Sequence, residues 1–150
     1  MKTMNTLDFE RISPGQALPS LTKHVTVEQI REYAEASGDH NPIHLDETFA
    51  RSAGLPGVIA HGMLTMAFAN QMLTDWLGDR RLLKRLQGRF VGMVLPGDDV
   101  TCSGSVASKD NETRRVMINL VVTNQRGEKV FNKGVAEAEF PPQRSNTHAA

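Results

Sequence analysis

The sequence predicts an α+β domain in which an antiparallel sheet packs around one long buried helix. Three observations predict it. From about His61 to Leu77 the spacing is helical but apolar nearly all round, so protein must cover that helix on most sides. After residue 85 the texture changes to a period of two. The breaks in that second region, PGD, KDNE and QRG, are short hairpin turns, so consecutive strands pair antiparallel. One helix and four or five strands are covered most economically by wrapping the sheet about the helix.

At 150 residues the chain is long enough for one domain with its own core, placed at 1–140 and followed by a polar, mobile tail PPQRSNTHAA at 141–150. Hydrophobic residues at 39% and charged residues at 23% describe a globular protein. Lys+Arg and Asp+Glu number 17 each, so no net charge draws the chain to nucleic acid or an anionic membrane. The same neutrality leaves self-association unopposed. Cys102 is the single cysteine, which excludes an intrachain disulfide and points to a reducing compartment. Between Thr101 and Ser103 in a predicted strand, it reads as structural. The N-terminal MKTMNTLDFERI lacks an apolar signal core and no apolar run reaches a membrane span, so the expected location is cytoplasmic.

The first helix starts at the capping box Thr26-Val-Glu-Gln29 and carries Ile30, Tyr33, Ala34 and Ser37 on one face. Gly38 is placed to close it in the left-handed conformation. A short helix is expected over Asp46–Ser52, then the turn GLPG at 54–57, then the long helix ended by Gly78. Strands are expected at 86–95, 99–108, 114–124 and 128–140, with Val116, Ile118, Leu120 and Val122 sharing one apolar face.

Between the first two helices lies Asp39-His40-Asn41-Pro42-Ile43-His44. Proline disfavours helix at the residue before it and removes a donor, so HNPIH is expected to be an extended or turning strip. That excludes His40 and His44 as a helical metal pair, and two histidines without a cysteine cluster are a poor zinc signature. No metal is expected. In an extended strip His40 and His44 face one way, Asn41 and Ile43 the other, and the turn at Pro42 can fold His44 back near Asp39. An aspartate and a neutral imidazole facing one water could divide its proton chemistry. An aspartate after a helix-ending glycine is equally a turn former, and a buried His–Asp pair can be simple core satisfaction. In AHGM (60–63), Gly62 opens the long helix, where free amides and the positive end of the dipole suit a carbonyl oxygen gaining charge. Close packing is the other use for that glycine.

YAEASGDHNPIHLDETFARSAG, followed by GVIAHGMLTM, resembles the signature of the MaoC-like dehydratases, the (R)-specific enoyl-CoA hydratases. It is also similar to the dehydratase subunits of mycobacterial-type fatty acid elongation. S-G-D-x-N-P-[apolar]-H-x-D runs unbroken from Ser37 to Asp46, A-H-G-M from Ala60 to Met63, and VLPGDDV at 94–100 fits as well. The resemblance covers roughly residues 8–140. It implies a hot-dog fold and a homodimer joined edge to edge, a heterodimer with a related subunit being the other arrangement. It also implies a thioester substrate on coenzyme A or acyl carrier protein, and no cofactor. The roles it implies are Asp39 and His44 as the acid–base pair and the Gly62 amide as oxyanion donor. Asn41, Pro42, Ile43, His61 and Met63 are expected to contact substrate, with Val58, Ile59 and Met66 further candidates for the acyl tunnel. Short-chain bacterial members carry a supporting serine nine residues after the HGM histidine. Here that place holds Asn70. The expected reaction is reversible hydration of a trans-2-enoyl thioester to the (R)-3-hydroxyacyl thioester. An acyl-CoA thioesterase and a non-catalytic acyl-binding partner subunit are the alternatives.

Overall fold

The computed structural model describes residues 6–143. Its elements run β1 (Leu21–His24), α1 (Val27–Ser37), α2 (Pro42–Leu45), α3 (Glu47–Ser52), α4 (Gly62–Leu77), β2 (Leu83–Phe90), β3 (Asp99–Asp110), β4 (Arg115–Thr123) and β5 (Lys129–Glu139). The strands form one antiparallel sheet of order β1-β3-β4-β5-β2, and α4 packs against β1, β2, β3 and β4. This is the hot-dog fold that the resemblance implied. The expected mobile tail falls mainly on residues outside those described.

Local chemistry accounts for the boundaries. Thr26 Oγ1 accepts from Gln29 N–H at 3.1 Å, and Gly38 closes α1 at φ 78°. Only the threonine half of the capping box forms, because Gln29 Oε1 is buried without a partner among the described residues. In β4 Val116, Ile118, Leu120 and Val122 are all buried, as alternation requires. From α4 they meet Leu64, Phe68, Ala69, Met72, Leu73 and Leu77 in one core.

The structure corrects the sequence reading at two places. Residues 21–24 form an edge strand paired with β3, too short to show periodicity. The strand expected at 86–95 instead occupies Leu83–Phe90. Val91 N–H still reaches the Val130 C=O of β5 at 2.9 Å, after which the segment leaves the sheet and Val94 C=O receives the Ala60 N–H at 2.8 Å, fastening it beside the start of α4. As expected, α4 is covered on most sides, while Met63, Ala67, Asn70 and Gln71 face solvent in the single chain. No helix among the described residues is long and apolar enough to cross a membrane.

Candidate active site

The site forms where the ends of α1 and α2 meet the start of α4. Once Gly38 has ended α1, Ser37 Oγ accepts the Asp39 N–H at 3.2 Å and Asp39 Oδ1 accepts the Asn41 N–H at 3.2 Å. Asn41 Oδ1 in turn accepts the Ile43 N–H at 3.2 Å, capping α2 with Pro42 in its first turn. HNPIH is therefore not an extended strip. Proline is well suited to a first helical turn, where its missing N–H costs nothing. His40 consequently does not share a face with His44. It turns outward to Glu35, 3.1 Å away, and that carboxylate holds its pKa above the ordinary histidine value.

His44, at 9% exposure, points inward from α2. Its Nδ1 lies 2.7 Å from the carbonyl oxygen of Ile59. A carbonyl can only accept, so Nδ1 carries the hydrogen and Nε2 of the neutral ring keeps a lone pair. The backbone bond from Ile59 N–H to Ile43 C=O, 3.1 Å, fixes that carbonyl beside α2. His61, immediately before α4, is 2% exposed and donates from Nε2 to the backbone oxygen of Asp39 at 3.0 Å. Its ring stacks on His44 with centroids 3.8 Å apart and an interplanar angle of 27°, while Tyr33 lies 4.9 Å away.

One ligand-type atom each from Asp39, His44 and His61 lies within 4.8 Å of the others. Two rings so nearly parallel direct their in-plane lone pairs side by side. They do not converge on one ion at the roughly 2 Å that a metal–imidazole bond requires. The arrangement suits proton transfer better than metal binding.

Gly62 begins α4, and its N–H precedes the first intrahelical hydrogen bond. His61 gives no side-chain cap there, so the positive end of a 16-residue helix is open beside the Asp39 segment. A Cβ on Gly62 would lie 3.3 Å from atoms of the Phe90 ring. Glycine thus lets Phe90 lie against the helix start.

Of the remaining anticipated contacts, Asn41 and Pro42 are exposed and serve the turn, and Ile43 is half-buried. Met63 is 54% exposed beside Gly62. His61 lies beneath the pair, shielded from solvent. The structure does not bring Asn70 into this group; it is exposed on α4 and makes no side-chain hydrogen bond among the described residues. Two features had no recognisable sequence signal. One is the Ile59 carbonyl. The other is Glu47, whose Oε2 accepts the Val58 N–H at 3.1 Å while Oε1 receives Arg51. These two bonds hold the Glu47 carboxyl below its ordinary pKa and tie α3 to the segment leading into Ile59.

Comparison with known proteins places this architecture. The sequence model for the MaoC-like domain matches residues 10–129. The chain belongs to the MaoC-like domain family. This MaoC-like chain is 36% identical over 116 residues to the fatty acid synthase beta subunit pigK of Monascus ruber, covering 73% of the chain and 6% of that subunit. It is 42% identical over 95 residues to the peroxisomal enoyl-CoA hydratase 2 of Arabidopsis thaliana, covering 62% of the chain and 26% of that protein. The R-hydratase PhaJ1 from Pseudomonas aeruginosa superposes with a TM-score of 0.81 at 29% identity, covering 91% of the MaoC-like chain and 86% of the hydratase.

Proposed function

We propose that the protein is a hydro-lyase that reversibly hydrates trans-2-enoyl thioesters to (R)-3-hydroxyacyl thioesters, carried on coenzyme A or an acyl carrier protein. The observation that carries this reading is the convergence of Asp39 and His44 beside the open start of α4 in a MaoC-like domain. The names of the relatives, hydratases and fatty acid synthase subunits, support the substrate class.

In this mechanism the pair shares one mobile proton. For hydration Asp39 is ionised and His44 protonated. Asp39 takes a proton from the water whose oxygen attacks C3, and His44 Nε2–H delivers a proton to C2. The pair is left as carboxylic acid and neutral imidazole, and transfer of one proton from Asp39 to His44 resets it. Dehydration starts from that second arrangement: Asp39 protonates the departing hydroxyl while the Nε2 lone pair removes the C2 proton. Both directions use the same total protonation. The Gly62 N–H stabilises the thioester oxygen as it gains charge. Ile43 and Met63 border the acyl group, and Asn41 and Pro42 border the mouth.

The protein works as a homodimer in the cytoplasm. Met63, Phe90, Val91 and Met93, each 47–54% exposed, give a second copy an apolar surface close to Gly62. Sedimentation at micromolar concentration checks the assembly, and a monomer would refute it. The activity is tested by loss of enoyl absorbance on crotonyl-CoA and longer enoyl-CoAs, with chiral analysis of the product. Failure to hydrate any of them, or release of free thiol from saturated acyl-CoA instead, overturns the reading.

A further inference from the structure

We infer that His61 is a positioning residue that fixes Asp39 and His44 relative to each other, and is not a contact for substrate. The inference rests on the hydratase reading, because it concerns the geometry of that pair. Exposure of 2% and the neighbouring rings of Tyr33 and His44 leave the imidazole no surface to offer an acyl thioester. Its two useful features are already engaged. The Nε2–H is committed to the backbone oxygen of Asp39, and one face lies on His44.

These contacts act on different degrees of freedom. The bond to Asp39 holds the backbone of a residue whose Oδ1 is folded onto the Asn41 N–H, so it sets where the other carboxylate oxygen lies. The hydrogen bond from His44 Nδ1 to Ile59 fixes rotation of the His44 ring in its own plane, and the stack on His61 fixes its tilt. One side chain thereby constrains both partners of a proton transfer. A displacement of about 1 Å in such a pair can cost about a hundredfold in rate.

Histidine at this position also carries a penalty. Nδ1 of His61 is buried without a hydrogen-bond partner among the described residues. Such a group calls for an explanation. Phenylalanine would stack without the orphaned lone pair, and glutamine would donate to Asp39 without the aromatic face. Of the three, only the imidazole combines both contacts.

The test compares His61→Phe and His61→Gln with the unaltered protein on crotonyl-CoA. Each should lower kcat at least about tenfold with KM changed by less than about twofold, His61→Gln retaining more activity because it can still donate to Asp39. A raised KM with intact kcat would make His61 a substrate contact, and wild-type kcat in both variants would leave it no role in the pair. A second readout does not depend on turnover. In His61→Phe the backbone order parameters of Asp39 and His40 should fall from about 0.85 to below about 0.6, while α4 stays rigid. Unchanged order parameters refute the positioning role even if the protein hydrates enoyl-CoA. Loosened residues in a protein without hydratase activity refute the function alone. Should His61→Phe not fold, His61→Gln serves for both measurements, with a smaller loosening expected.

Discussion

Phe90, at the end of β2, lies against Gly62, at the start of α4, so closely that an added methyl group would come within 3.3 Å of its ring. The contact is tighter than an ordinary side-chain contact, but in the single chain Phe90 is 48% exposed and its ring can shift. Gly62→Ala should therefore change stability by less than about 1 kcal/mol, since alanine is also the better helix former. Turnover of crotonyl-CoA should fall about ten- to a hundredfold as the methyl group and the displaced Phe90 ring crowd the oxyanion position. Adding Phe90→Ala should recover most of that loss. Unchanged turnover in Gly62→Ala would mean that neither the added methyl group nor the Phe90 ring bears on the oxyanion position.

Asp39→Asn and His44→Ala each take away one half of the shared proton. Losses of about a hundred- to ten-thousandfold in kcat are expected, with the fold retained and a thermal midpoint near the parent's for Asp39→Asn but lowered for His44→Ala, which vacates a buried hydrogen-bonded ring. Asparagine preserves the acceptor for the Asn41 N–H, so Asp39→Asn is the cleaner probe of chemistry. The assay is enoyl absorbance under saturating substrate, alongside a melting curve. Near-parental kcat in either variant would end its assignment to the acid–base pair.

Glu47 gives a pH signature in stability. The Val58 N–H, then Arg51, hold its carboxyl below the ordinary value in the folded chain. A carboxyl depressed by folding stabilises the native state fully above its unfolded pKa, about 4.3, and that contribution disappears as pH falls through the lower folded value. Melting temperatures of the parent and Glu47→Gln should accordingly differ most at neutral pH and converge below about pH 4. A constant difference across that range would mean that the charge contributes nothing.

Burial pushes the Cys102 thiol up to about 11, and the side chain lies within β3 against the core. At pH 8 the native protein should react with a disulfide reagent at least about a hundredfold more slowly than the unfolded chain, the thiolate being the reactive form. Stoichiometric labelling of the native protein within seconds would contradict this.

The parts of the fold written in side-chain periodicity were legible. Thr26 and Gly38 mark the two ends of α1, and the alternation from Val116 to Val122 marks β4. The HNPIH segment departs from the expected strip because Pro42's fitness for a first helical turn outweighs its restriction on the residue before it. Asn41 before Pro42 is a helix start, and the structure uses it as one. Helical spacing located α4 but not what lies outside it, so the exposure of Met63 and Ala67 could not be read from composition. In the candidate site, Asp39, His44 and Gly62 stood out as residue types. The links between them did not, because they run through the backbone oxygens of Asp39 and Ile59, which any residue at those positions could supply.

That choice of anchor has an evolutionary side. Many histidines in proton transfer are steadied by a carboxylate, which a single base change can neutralise and which alters the ring's basicity through its charge. Behind His44 stands a peptide group. No codon at position 59 other than one that reshapes the chain can delete it, and it brings no charge of its own. Residue 59 is thus free to vary while the imidazole keeps its tautomer.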